Sequence, residues 1–135
     1  MCIKRTVNLL LVGLLFLTFT NCRTKVSSVS VTTLTCENQI NPAGIDLVNP
    51  ALSWIIESKT PGEKQTAFQV IVATSLDLLN KDQGDLWNSE KQNSEQSILI
   101  RYVGKPLGAG VCCYWKVRVW DKDGKVSNWS EPAQW

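Results

Sequence analysis

Apolar and polar residues alternate strictly from Val111 to Trp120. Val111, Cys113, Trp115, Val117 and Val119 fall on one side, and Cys112, Tyr114, Lys116, Arg118 and Trp120 on the other. A period of two with β-branched and aromatic residues predicts a half-buried strand. Asp121 to Gly124 supplies a turn, and the chain then returns through Trp129, Ser130 and Pro132 to Trp135 as the second strand of the pair. Upstream, Val29, Val31 and Leu34 predict a strand over 29–37, and Leu52, Trp54 and Ile56 a second over 51–58. A third covers 65–74, with Phe68, Val70 and Val72 on one face and Ile71 on the other. Ser75 can cap a helical turn over 75–81. An edge strand at 84–90 carries Leu86 and Trp87, and a strand at 96–102 places Ile98 and Ile100 on one face with Leu99 opposite.

Between these runs lie Asn41-Pro42, Gly44, Asn49-Pro50, Pro61-Gly62 and a glycine-rich loop from Gly104 to Gly110, all breakers of regular structure. Seven short strands separated by turns, without a long helix, predict a seven-stranded antiparallel β-sandwich. Leu52, Trp54, Ile56, Phe68, Val70, Val72, Ile98, Ile100, Trp115, Val117 and Val119 form the expected core.

The first 22 residues follow another pattern. Lys4 and Arg5 precede an apolar run from Leu9 to Phe19 that is shorter than the ~20 residues a spanning helix needs. This reads as a secretory signal. Cys22 stands where bacterial lipoproteins carry the lipidated cysteine, although Phe19 and Asn21 depart from the usual residues there. The expected organisation is a signal of lipoprotein type over 1–22, a polar tether over 23–28 and the sandwich over 29–135. The expected location is outside the cytoplasm, in the periplasm or on the outer membrane, held by lipid.

Composition narrows the chemistry. The 135 residues suit one domain and include no histidine, which removes Ser-His-Asp and Cys-His catalysis and histidine-ligated metal. No metal site or cofactor is expected. Without Lys4 and Arg5, 12 basic and 12 acidic side chains remain. No basic patch then speaks for nucleic acid. Asp46, Asp82, Asp85, Asp121, Asp123 and Glu131 all fall in predicted loops or at strand ends and read as solvated turn residues rather than a hydrolytic carboxylate pair. Of the five cysteines, Cys36 pairing with Cys112 or Cys113 is the disulfide left open. Trp87, Trp120, Trp129 and Trp135 offer flat faces. Trp120, Arg118 and Trp129 form the best candidate surface for sugar or for docking, with Trp129 placed to stack on Arg118.

Taken in order, NPAGID, ALSWIIES, QTAFQVIVATS, GDLWNSEK, GKPLGAG and YWKVRVWDKDGKVSNWSEPAQW resemble the first, fibronectin type III-like (immunoglobulin-like) module of bacterial α-L-rhamnosidases, glycoside hydrolases of family 78. The likeness covers about residues 30–135. It implies further β-sandwich modules and an α/α-toroid catalytic domain, to which nothing in this chain corresponds, so no catalytic residue carries over. Related modules usually have an aromatic, often tyrosine, at the position of Cys113, whose hydroxyl closes a corner onto the preceding loop. Cysteine cannot make that bond, which implies a looser Pro106–Gly110 loop. The resemblance therefore implies a non-catalytic module of an exported rhamnosidase-like enzyme in a truncated chain, partnered by neighbouring modules. A free surface-anchored module binding rhamnose-containing glycans and an inactive gene relic are the alternatives.

Overall fold

A computed structural model describes residues 25–135. The signal segment and Cys22 lie outside them. The strands are β1 (Val29–Cys36), β2 (Ala51–Ser58), β3 (Ala67–Ala73), β4 (Trp87–Asn88), β5 (Ile100–Arg101), β6 (Tyr114–Trp120) and β7 (Ala133–Gln134), with helix α1 (Leu76–Asn80) after β3. They form two sheets, β1-β2-β5 and β4-β3-β6-β7. Every pairing is antiparallel. The expected sandwich is thus the observed one.

The longest ladder in the second sheet joins β3 to β6, from Ala67 opposite Trp120 to Ala73 opposite Tyr114. Its inner face carries Phe68, Val70, Val72, Trp115, Val117 and Val119, all buried against Leu52 and Trp54 of the facing sheet. Burying each such side chain contributes about 1.5–3 kcal/mol. The outer face of β3 is buried too. Ile71 and Ala73 pack with Leu79 of α1, which covers that end of the sheet. Ser75 caps α1 by accepting from the Leu78 amide at 3.3 Å. The Trp54 indole N–H reaches the Gln65 carbonyl oxygen at 3.0 Å, and the Gln65 amide donates to the carbonyls of Ser94 and Gln96. A buried glutamine is tolerated there because its polar atoms are paired.

Four expectations change. The strand at 96–102 shortens to Ile100–Arg101. Leu99 takes φ +57°, which breaks the two-residue period, and its amide donates to the Ser53 hydroxyl. Ile98 is therefore 61% exposed rather than a core residue, while Ile100 is half-buried.

The returning strand is regular only at Ala133–Gln134. Before it, Ser127, Ser130 and Ala133 are buried, a period of three that matches the three residues per turn of polyproline II. The Ser127 and Ser130 amides donate to the carbonyls of Val119 and Val117. Their hydroxyls accept from the amides of the same two residues at 3.0 Å. The serine oxygens thus take the place of strand carbonyls.

Trp135 is a core residue and not a flat surface face. It packs edge-on against Tyr102 and Trp115, with ring centroids 5.8 and 6.2 Å apart. Finally, Cys113 does not leave the preceding loop unclosed. The corner bond is made from the loop's other end, where the buried Tyr102 hydroxyl donates to the Lys105 carbonyl at 2.7 Å.

Cys36, Cys112 and Cys113 are free thiols, so the disulfide left open in the sequence is not formed. Ser27 anchors the start of the domain. Its amide donates to the Val126 carbonyl at 3.0 Å, and its hydroxyl to Asp121 Oδ2 at 2.6 Å.

Candidate functional site

The outer face of β6 presents Lys116, Arg118 and Trp120 at every second position. Trp129, on the returning segment, lies beside them. The Arg118 guanidinium carbon stands 4.6 Å from the Trp129 ring centroid and 5.4 Å from that of Trp120. Lys116 Nζ is 5.0 Å from Trp129, and Lys91 Nζ 4.9 Å from Trp120. Each ring thus has two cations over it, and Arg118 lies between the two rings.

Hydrogen bonds hold Arg118 and Lys116 in place. Arg118 Nε donates to Gln69 Oε1 at 2.9 Å, and the Gln69 amide donates to Asn88 Oδ1 at 2.9 Å. Gln69 sits directly across the ladder from Arg118. Lys116, itself buried, pairs with the exposed Asp82 at 2.5 Å. The cation–π contacts contribute about 0.5–1 kcal/mol each where exposed. Stacking on sugar needs an open ring face with free polar groups beside it. Here the polar groups are engaged with one another and the rings with cations.

The structure therefore brings together all three predicted residues, Trp120, Arg118 and Trp129. Trp87 is half-buried instead, packed edge-on against Tyr102 with centroids 5.5 Å apart. Gln69 and Lys91 complete the face. Gln69 was visible as a polar interruption of an apolar strand, whereas Lys91 comes from a loop whose placement no local pattern signals.

Asp85 and Asp121 have structural work. Asp85 accepts from the Thr74 amide and hydroxyl at 2.8 and 2.7 Å. Burial tends to raise its carboxyl, but these bonds outweigh that and hold it below the usual carboxylate range. Asp121 behaves alike through Ser27 and the amides of Lys125 and Asp123. Among the described residues no three or more histidine, cysteine or acidic side chains gather as a metal site. Burial, with Glu37 and Cys113 adding to it, pushes the Cys36 thiol up to about 12. Burial, then Cys112 and Asp85, pushes Cys113 up to about 11. Both are protonated at neutral pH and inert as nucleophiles.

Residues 31–135 match the family described as "Rha78A-like, N-terminal immunoglobulin domain". The chain belongs to that family. An α-L-rhamnosidase of Formosa agariphila is 47% identical over 92 residues, covering 68% of this chain and 10% of the relative. One of Streptomyces avermitilis is 42% identical over 110 residues, covering 82% of this chain and 10% of the relative. The module superposes with a TM-score of 0.76 on the crystal structure of the Streptomyces avermitilis enzyme complexed with L-rhamnose, covering 79% of this chain and 10% of that one. An α-L-rhamnosidase from Dictyoglumus thermophilum also gives 0.76, at 38% identity, covering 82% of this chain and 12% of that one. The immunoglobulin module thus spans about a tenth of the length of the relatives it matches.

Proposed function

We propose that this immunoglobulin module is a spacer and packing unit of an exported α-L-rhamnosidase-like glycoside hydrolase, and not a glycan-binding domain. The match to one tenth of the rhamnosidases carries this reading. The cations over Trp120 and Trp129 support it, because they give that face a stabilising role. The two ends of the domain suit a spacer. Ser27 meets Asp121 and Val126 at one pole, and Trp135 exchanges two backbone hydrogen bonds with Cys113 at the other. Strands of eight residues at ~3.3 Å per residue put roughly 25 Å between the poles. Titration of the chain with rhamnogalacturonan fragments is expected to leave tryptophan fluorescence unchanged, and an aryl rhamnoside to stay uncleaved. A saturable change abolished by Trp120→Ala, with the fold intact, would favour the glycan-binding alternative.

The anchoring that the leader suggests is part of the same proposal. Cys22 becomes the first mature residue, carries lipid and holds the module at a membrane, in the periplasm or on the outer membrane. Mass spectrometry of the membrane fraction is expected to find a lipid-modified Cys22. A mature protein beginning elsewhere and recovered only in solution contradicts this.

A further inference from the structure

Among the described residues, Ser27 is the first that hydrogen bonds hold to the domain. Its amide donates to the Val126 carbonyl at 3.0 Å. Its hydroxyl donates to Asp121 Oδ2 at 2.6 Å and accepts from the Val29 amide at 3.1 Å. Asp121 is fixed in turn by the amides of Asp123 and Lys125, both at 2.9 Å. The polar tether expected over 23–28 is therefore shorter than the sequence suggests, because its last two residues belong to the fold.

This clamp lies at one pole. Val29 at the start of β1 pairs with Ser58 at the end of β2, and Ala67 at the start of β3 pairs with Trp120 at the end of β6. The turns at 59–66 and 121–126 close the same pole. Cys112, an exposed thiol, precedes β6 at the opposite pole.

Reach decides which pole a lipid at Cys22 holds. Five residue steps separate Cys22 from Ser27, and an extended chain covers at most roughly 17 Å in five steps. The poles are about 25 Å apart. The link is too short for the Cys112 pole to turn to the membrane while Ser27 lies on the far side. Without the clamp the first fixed residue is Val29, and seven steps reach roughly 24 Å, the length of the module. The clamp thus removes the length that inversion needs.

Charge does not compete with it. The two turns carry Lys59, Lys64, Lys122 and Lys125 against Glu63, Asp121 and Asp123. Lys122 lies 3.6 Å from Glu63. A surface of mixed sign fits zwitterionic headgroups and gains little from anionic lipid.

We propose that the Ser27–Asp121 clamp sets the module on a phospholipid surface with the 59–66 and 121–126 turns towards the headgroups and the Cys112 pole turned away. This rests on the anchoring of Cys22 proposed above and adds the face that meets the membrane.

In the test, the full chain is produced with its leader, and the purified protein is placed in phosphatidylcholine vesicles that carry an acceptor dye on a headgroup. A donor dye sits on the native Cys112 in one sample, Cys36 and Cys113 being buried. In the other it sits at position 59 in the double variant Lys59→Cys, Cys112→Ser. The donor at position 59 is expected to lose roughly twice as much emission as the one at Cys112, in keeping with ~25 Å between the poles. Adding phosphatidylglycerol or salt should leave that ratio unchanged. Insertion of about ten Gly and Ser residues after Arg23 should bring it close to one, because the longer link lets the module turn over. Equal transfer from both positions without the insertion, or more from Cys112, overturns the proposal. A ratio that survives the insertion, or that depends on phosphatidylglycerol, means that something other than the clamp orients the module, which overturns it too. Mass spectrometry of the same samples separates the two readings. A lipid-bearing Cys22 with equal transfer removes only the orientation. An unmodified Cys22 removes the anchoring and the orientation together.

Discussion

Gly104→Ala is expected to destabilise the module by about 3 kcal/mol, at the upper end of the cost of overpacking a filled site. A Cβ at Gly104 would stand 2.5 Å from the Leu86 carbonyl oxygen, 2.5 Å from Trp87 Cβ and 2.6 Å from the Tyr102 hydroxyl. None of these can retreat cheaply. The Leu86 carbonyl accepts from the Lys105 amide at 2.9 Å, and the Tyr102 hydroxyl is held by the Lys105 carbonyl. Tyr102 is also wedged edge-on between Trp87 and Trp135. The substitution therefore pushes apart the point where the loop after β5 crosses β4. Gly108→Ala is the control, since its Cβ would meet only Val111 Cγ2 at 3.6 Å. It should change stability by less than about 0.5 kcal/mol. Urea unfolding followed by tryptophan fluorescence compares the two. Equal midpoints would show that Gly104 is not a steric requirement.

Asp121→Ala is expected to cost about 3 kcal/mol near pH 7, and less as the solution is acidified. The carboxylate is almost fully buried and accepts from the Ser27 hydroxyl at 2.6 Å and from the amides of Asp123 and Lys125 at 2.9 Å. Bonds to a charged group contribute roughly 1.5–3 kcal/mol each, and truncation leaves the donors unpaired. Burial raises this carboxyl, but the Ser27, Lys125 and Asp123 bonds win and lower it below its ordinary value. The unfolded chain therefore binds the proton more readily than the folded one, and stability rises with pH. The contribution is complete above the unfolded value of about 3.9. It is lost as pH falls through the lower folded value. The gap in urea midpoint between the parent and Asp121→Ala should be full at pH 7 and clearly smaller at pH 3. A gap of constant size across that range would mean that the ionised carboxylate is not the source. Because Asp121 ties Ser27 to the turn after β6, its loss should also free the segment that leads into the domain.

The local pattern determined much of this protein. Alternation in residues 113–119 assigned the buried face of β6, because a strand places every second side chain on one side whatever it packs against. The same rule identified β2 and β3, and it placed Arg118 and Trp120 together on the outer face. The order of the motifs carried the family. The ladder's register decided what alternation could not. Gln69 meets Arg118 only because β3 pairs with β6 in one alignment, and Lys91 reaches Trp120 from a loop. Leu99 turned a seven-residue expectation into a two-residue strand, because a left-handed backbone leaves no trace in hydrophobicity. Ser127 and Ser130 read as ordinary polar residues until β6 lay beside them and used their hydroxyls as acceptors. Tyr102 and Trp135 became core for the same reason. Their burial depends on contacts between distant parts of the chain, formed only when the two sheets close on each other.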